Sequence, residues 1–287
     1  MRSLSKERIQ FLLQKYSVTP RKKRGQSFLT DPSVALEIVR AAEVGPDDRI
    51  LEIGGGLGIL TEILAKYAKK VHVIEIEPGL VRAIREELGN LTEVEVIEGD
   101  ALKVPLPEIS KVVANLPYSI ASPITFRILQ ELDFELAVLM YQEEFADRLI
   151  SVPGTSTYSR LSIDFQYLAE ASEVLTVPAS KFYPVPAINS KVLRIKKRTS
   201  GPFARNHDVF FWFVHGIYSY PNKQLRRALG IWLKNMKRDK KLVDEILARV
   251  GDEVTGGERL RGLTQEMLVN LSDVVSNMIT EDLIHYP

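Results

Sequence analysis

Apolar and polar residues follow two rhythms along this chain, and the rhythm changes once. Between residues 49 and 198, short apolar runs alternate with stretches whose apolar positions recur every three to four residues. The runs at 49–53, 71–76, 94–97, 111–114 and 136–141 predict strands. The stretches at 57–67, 78–88 and 122–132 predict amphipathic helices. Pro78 marks one helix start, and Ser122-Pro123 reads as a cap with a first-turn proline. Alternation of this kind predicts an α/β fold with a parallel, doubly wound sheet. Runs at 173–177 and 191–196 flank the Pro-rich loop Phe-Tyr-Pro-Val-Pro at 182–186, which predicts an antiparallel hairpin closing the sheet edge.

After Thr-Ser-Gly-Pro at 199–202 the strands disappear, and 209–217, 224–234, 241–250 and 264–278 all read as helices. The expected organisation is an α/β domain at 1–200 and a small all-helical domain at 201–287. Residues 1–16 have helical apolar spacing but no long apolar run. Neither a signal peptide nor a membrane anchor is expected there, so a cytoplasmic location is.

Composition removes several chemistries. There is no Cys, which excludes disulfides, thiolate zinc sites and Cys nucleophiles. His72, His207, His215 and His285 have no metal-ligand spacing, so no metal is expected. The net charge of +1 conceals a segregation. Residues 1–30 carry a net +7 and residues 191–241 a net +12, leaving the remainder near −18. Local positive potential on a chain with little overall charge suits a polyanion surface. The RNA-binding candidates are Arg21, Lys22, Lys23 and Arg24 in the first segment, and Lys223, Arg226 and Arg227 within the Lys191–Lys241 region.

The candidate chemistry sits at the ends of the predicted strands. Glu-Ile-Gly-Gly-Gly-Leu-Gly at 52–58 leaves a strand and opens a helix. Gly54, Gly56 and Gly58 permit a tight turn and a close backbone approach to a ligand. A dinucleotide fingerprint, G-x-G-x-x-G/A, would need Gly or Ala at the position after Gly58, where Ile59 stands and disfavours it. The spacing acidic-x-Gly-x-Gly-x-Gly, beginning at Glu52, is instead the form associated with S-adenosylmethionine. Glu75 ends the second strand and is followed by Ile76; its carboxylate can accept both ribose hydroxyls. Asp100 follows the third strand and is placed to accept from an adenine amine, with the Ala101 N–H directed at the ring.

Asn115-Leu116-Pro117-Tyr118 follows the fourth strand at the same sheet edge. An adenine N6 amine is a poor nucleophile, because its lone pair is delocalised into the ring. The Asn115 side-chain oxygen and a backbone carbonyl at Leu116 or Pro117 can accept its two N–H bonds and favour a tetrahedral nitrogen. Proline fixes the turn, and Tyr118 offers a stacking face. No strong general base is needed, since the amine becomes acidic once methylated.

These motifs resemble the small-subunit ribosomal RNA adenine N6,N6-dimethyltransferases of the KsgA type, over nearly the whole chain. Gly-Gln-Ser-Phe-Leu-Thr-Asp at 25–31 resembles that family's N-terminal signature, which implies cofactor contacts at Gln26, Ser27 and Leu29. Phe-Tyr-Pro-Val-Pro at 182–186 resembles its F-x-P-x-P loop, which implies that Phe182 stacks on the target base. Asn-Lys-Gln-Leu-Arg-Arg-Ala-Leu at 222–229 resembles its basic helix. The resemblance implies a Rossmann-like methyltransferase sheet with a small helical domain. It also implies a substrate of two adjacent adenines in a hairpin near the 3′ end of small-subunit RNA, met in a pre-30S-type particle. A monomer is expected. Two departures stand out: Gly55 replaces the proline of many relatives, a change expected to matter little, and Tyr220-Pro221 falls where relatives are more basic.

Three other readings compete. The large-subunit RNA adenine methyltransferases of macrolide resistance share the Asn-Leu-Pro-Tyr turn and the cofactor motifs. An assembly or transcription factor could keep the fold without turnover, although Glu75, Asp100 and Asn115 are all intact. A DNA adenine methyltransferase would need a base-reading domain, and none is evident.

Overall fold

The computed structural model describes residues 5–20 and 26–287. Arg21, Lys22, Lys23 and Arg24 therefore lie outside the described residues. The chain divides into two compact units, Met1–Ala146 with Ala169–Lys197, and Asp147–Leu168 with Arg198–Pro287.

The elements run in order as α1 (Lys6–Lys15), β1 (Phe28–Leu29), α2 (Pro32–Ala41), β2 (Arg49–Ile53), α3 (Ile59–Leu64), β3 (Lys70–Glu75) and α4 (Pro78–Glu87). Next come β4 (Val94–Glu98), β5 (Lys111–Asn115), α5 (Ala121–Glu131), β6 (Leu136–Gln142), α6 (Glu143–Leu149) and α7 (Arg160–Leu168). The chain continues through β7 (Ala169–Val177), β8 (Phe182–Tyr183), β9 (Ser190–Lys197), α8 (His207–Ile217), α9 (Leu225–Asn235), α10 (Leu242–Val250) and α11 (Gln265–Thr280).

In the first unit a seven-stranded sheet has the order β4-β3-β2-β5-β6-β9-β7. β2, β3, β4, β5 and β6 pair in parallel. β9 is antiparallel to β6 and to β7, which makes the expected edge hairpin, with a bulge between Glu173 and Leu175. Parallel strands covered on both faces must be apolar almost throughout. Leu136, Ala137, Val138, Leu139, Met140 and Tyr141 of β6 are all buried, as are Val112, Val113 and Ala114 of β5. The sequence order reverses between β2 and β5, where a doubly wound sheet opens its ligand crevice. This is a Rossmann-like α/β fold.

Three helices lie outside the predicted set. α2 has local signals: Asp31 caps it by accepting from the Ser33 N–H at 2.9 Å, and Pro32 starts it. α6 and α7 are short. α5 starts at Ala121, after a 3-10 turn at Tyr118–Ile120, so Ser122 lies inside the helix rather than capping it.

The second unit is a helical core of α7 to α11. Tyr167 of α7 stacks on Phe210 with ring centroids 4.0 Å apart, and its hydroxyl meets His207 Nδ1 at 2.6 Å. Tyr158 and Ile163 are buried in the same cluster. These aromatic and apolar side chains are why residues 147–168 belong with the helices, a grouping that a single division at residue 200 does not contain. Among the described residues no helix is long and apolar enough to cross a membrane, and no group of His, Asp or Glu could hold a metal ion.

Candidate active site

A cavity of about 240 Å³ opens at the C-terminal ends of β2, β3, β4 and β5. Its wall includes Glu52, Gly54, Gly56, Glu75, Ile76, Asp100, Ala101 and the whole Asn115–Tyr118 turn, together with Gln26, Ser27 and Leu29 from the N-terminal signature. The glycine turn, Glu75, Asp100 and the Asn115–Tyr118 turn, up to 66 residues apart in sequence, thus meet around one space because they lie at the C-terminal ends of parallel strands.

The glycine turn is shaped by what touches it. Gly54 has φ +77°, and a Cβ there would lie 2.9 Å from Pro117 Cγ. A side chain would therefore push the glycine turn away from the Asn-Leu-Pro-Tyr turn. Gly58, expected as a cofactor residue, is not in the cavity wall. It adopts φ +82° as the N-cap of α3, and a Cβ would meet Leu88. Its conformational freedom serves the helix start, while Gly55 and Leu57 reach the cavity in its place. Gly55 is also less neutral than expected, since a Cβ would come within 2.4 Å of Val73 Cγ1 and 2.8 Å of Ile84 Cδ1. A proline there would require both neighbours to move.

Two carboxylates are buried in this wall. Glu75 accepts from the Gly56 N–H at 3.1 Å and the Glu77 N–H at 2.9 Å, which fixes its direction. Burial nevertheless raises its pKa, more than those bonds lower it. Glu52 accepts from Thr61 Oγ1 at 2.6 Å. Burial, aided by the nearby Glu75, pushes its pKa up to about 8 against the opposing pull of that bond. Two buried acids in an apolar-walled cavity favour a ligand that donates hydrogen bonds and carries positive charge. Asp100 is held by the Leu102 N–H at 2.9 Å and faces Lys103 Nζ at 3.8 Å. Arg127 of α5 donates to the Ala101 carbonyl at 2.5 Å and ties this loop to the helix that follows the Asn-Leu-Pro-Tyr turn.

At that turn the Leu116 N–H donates to the Met140 carbonyl at 3.2 Å, and the Ile120 N–H donates to the Pro117 carbonyl at 3.1 Å. The Tyr118 hydroxyl lies 2.7 Å from Ser190 Oγ, which is fully buried at the start of β9. Burial raises the Tyr118 pKa, so its ring is presented as a neutral phenol. Ser190 and Arg127 escape sequence reasoning because their partners are distant in the chain; only the fold joins them.

Phe182, expected against the target base, is not at the cavity. β8 pairs antiparallel with β1, with Leu29 opposite Phe182. In a two-residue strand the side chains alternate, so Phe182 turns inward to 2% exposure in the core that contains Leu29, Val177 and Val192. Tyr183, half-buried, packs against a separate cluster that includes Ile9, Leu12 and Phe28, and its hydroxyl accepts from Gln10 Nε2 at 2.8 Å. In the helical unit Arg226 and Arg227 are exposed and Lys223 half-buried at the start of α9; Arg226 is ion-paired with Asp244.

Known proteins resemble this chain in sequence and in fold. The sequence profile of the family described as "Ribosomal RNA adenine dimethylase" matches residues 18–255. The "Probable ribosomal RNA small subunit methyltransferase A" of Methanosarcina barkeri is 41% identical over 279 residues, 96% of this chain and 94% of that protein. Its namesake in Methanococcus maripaludis is 40% identical over 260 residues, 90% of this chain and 98% of that protein. Among solved structures, a dimethyladenosine transferase from Plasmodium falciparum has a TM-score of 0.77 at 27% identity, covering 90% of this chain and 100% of that one. The 23S rRNA methyltransferase ErmE has a TM-score of 0.65 at 29% identity, covering 87% of this chain and 99% of that one. With a switch-point cavity on a Rossmann-like sheet and sequence matches that run nearly end to end, the chain belongs to the ribosomal RNA adenine dimethylase family of methyltransferases.

Proposed function

We propose that this enzyme transfers methyl groups from S-adenosylmethionine to N6 of two adjacent adenines in a hairpin near the 3′ end of small-subunit ribosomal RNA. It acts within a pre-30S-type particle, with a role in ribosome assembly. The observation that carries the reading is the single cavity walled by the glycine turn, Glu75, Asp100 and the Asn115–Tyr118 turn together.

When bound, S-adenosylmethionine supplies an electrophilic methyl group on a sulfonium. Glu75 accepts from the ribose hydroxyls, and Asp100 with the Ala101 N–H reads the cofactor's adenine edge. Ile76, 46% exposed at the rim, gives that ring an apolar face. Glu52 answers the ligand's ammonium group, which would return its carboxyl to the ionised form. Gln26, Ser27, Leu29, Gly54 and Gly56 complete the pocket. Asn115 accepts one N–H of the target amine. The Pro117 carbonyl is already engaged by Ile120, which favours the Leu116 carbonyl as the second acceptor. Tyr118 stacks on the target adenine, which must leave its own stack to reach the cavity. Phe182 holds β8 on β1 rather than holding the base. Outside the cavity, Arg21, Lys22, Lys23, Arg24, Lys223 and Arg227 contact RNA phosphates, and Arg226 can join them only by leaving Asp244.

Incubation of the protein and S-adenosylmethionine with small-subunit RNA or subunits should yield dimethyladenosine at two neighbouring positions by mass spectrometry. The likeness to ErmE supports a second reading, methylation of large-subunit RNA. Product on large-subunit RNA alone would replace the first reading with the second.

A further inference from the structure

Several cations of the 191–241 segment are already engaged. On β9, Lys191 pairs with Glu173 at 2.9 Å, Arg194 pairs with Glu43 at 2.8 Å, and Lys197 donates to the Leu132 carbonyl at 2.9 Å. In the helical unit Arg205 lies 3.7 Å from Asp273, and Arg226 is paired with Asp244. Among the cations that remain, those of the turn between α9 and α10 are the most concentrated. Lys234, Lys237, Arg238, Lys240 and Lys241 lie within eight residues, and among the described residues none of them has an ion-pair partner. The one acid between them, Asp239, accepts from the Lys241 backbone N–H at 2.9 Å.

This turn also runs against three local preferences. Lys237 has φ +58°. It closes α9 through Lys237 N–H to the Lys234 carbonyl at 3.0 Å and Arg238 N–H to the Leu233 carbonyl at 2.9 Å, a geometry in which glycine is favoured. Lys240 and Lys241 then stand at the N-terminal end of α10, where the helix dipole disfavours positive charge. The acids of that first turn do not compensate, because Asp244 serves Arg226 and Glu245 serves Arg249. Finally, one guanidinium nitrogen of Arg238 is shielded from solvent without a hydrogen-bond partner. Five cations gathered around a single acid, at the expense of local stability, mark a surface kept for an external anion.

We propose that the α9–α10 turn is the principal phosphate contact of the helical unit, gripping the backbone of the ribosomal RNA substrate. The inference rests on the RNA reading above and locates its contact. The exposed residues of the turn are all polar or charged, without the aromatic or apolar anchors of a protein interface. Flexible ammonium groups of this kind hold phosphates without reading sequence.

The test uses the full chain and small-subunit RNA, with binding measured from low to high salt. The triple variant K237Q/K240Q/K241Q should flatten the slope of log affinity against log salt by about two units and lose at least about tenfold in affinity at low salt. Replacement of Arg226 by Gln should change the slope much less. Lys237→Gly separates structure from binding: it should raise the melting temperature by removing the left-handed lysine, and still lower RNA affinity. A rise in melting temperature with RNA binding untouched would overturn the proposal, as would a parental slope in the triple variant. Normal RNA binding with lost binding to whole subunits would also overturn it and assign the turn to a ribosomal protein. A parent protein that binds no ribosomal RNA would defeat the functional reading itself. A parent with a steep slope, unchanged in the variants, defeats only this inference.

Discussion

The cavity and the α9–α10 turn place charge in opposite settings. In the cavity, Glu52 and Glu75 are 2% and 5% exposed, each with fixed hydrogen-bond partners, and burial raises both pKa values. At the turn, five cations surround one acid, Asp239, and among the described residues none of the five has an ion-pair partner. Low dielectric magnifies each interaction in the first setting, and salt screens each one in the second. A small ligand is therefore held by few groups, any one of which matters greatly. A polyanion is held by many, each of which matters a little. The contrast predicts a ranking of effects.

The largest effect should be at Asn115. On the proposed mechanism Asn115→Ala removes an acceptor for the reacting amine, so the loss should fall on the transition state rather than on binding. Turnover should drop about 10²–10³-fold, the usual cost of one positioned polar group in an enzyme site, while cofactor affinity falls much less. Single-turnover methylation of RNA beside calorimetric titration of cofactor measures both. A variant that methylates at near-parental rate would reduce this turn to a helix entry.

Glu75 should come next. Its replacement by Ala leaves the Gly56 and Glu77 N–H groups without their partner and, on the proposed reading, removes an acceptor for the ribose. A hydrogen bond to a charged group is worth about 1.5–3 kcal/mol, so cofactor affinity should weaken about 10- to 150-fold. Glu75→Gln, which keeps one acceptor oxygen, should fall between the two. An unchanged affinity would mean that the carboxylate only braces the glycine turn.

The place of these two residues in the cavity wall was legible in the sequence because each ends a strand, and apolar runs reveal strands. Predicted strands at 49–53, 111–114 and 136–141 match β2, β5 and β6 to within a residue. Periodicity states which positions are buried, not what they are buried against. That is why Phe182 was expected at the base: a motif fixes the residue, but only pairing with β1 decides which way the ring points. Gly58 misleads similarly, since a cofactor glycine and a helix-cap glycine share one spacing. Residues 147–168 join the helical unit through Tyr158 and Tyr167, a tertiary fact with no local signal. α2 did carry its signal in Asp31-Pro32.

Glu52 offers a pH test of the buried setting. Its folded pKa of about 8 lies above the ordinary carboxylate value of 4.5. Between those values the folded protein keeps a proton that the unfolded chain has lost. Stability of the ligand-free protein should thus fall as pH rises through that window, by at most about 1.4 kcal/mol per pH unit from this group, and level off above it. A ligand ammonium group drawing Glu52 back to its ionised form should release up to one proton on binding near pH 6.5. Calorimetry in buffers of different ionisation enthalpy would count that proton, and Glu52→Gln should abolish it. Proton-neutral binding by the parent would remove Glu52 from the ammonium site.

The smallest cavity effect should be at Ser190, which acts through Tyr118. Its hydroxyl lies 2.7 Å from the Tyr118 hydroxyl and touches no part of the space where a base would sit. Ser190→Ala leaves a largely buried phenol without its partner, which typically costs about 1 kcal/mol, or about fivefold. If Ser190 positions the ring, the loss should appear in RNA methylation, with cofactor affinity unchanged. Tyr118→Phe should produce a similar loss, and the double variant Ser190→Ala/Tyr118→Phe should add little, since both break one bond. Ser190→Thr should recover part of the rate if β9 accommodates the methyl group. A purely structural Ser190 would lower the melting temperature and spare the rate of the protein that remains folded. The same assay compares the two settings directly. At physiological salt, replacing one lysine of the α9–α10 turn should cost no more than Ser190→Ala does, because a screened surface charge contributes less than a buried bond. A single turn lysine that outweighs Ser190 would collapse the contrast between the two regions and make that lysine a specific RNA contact.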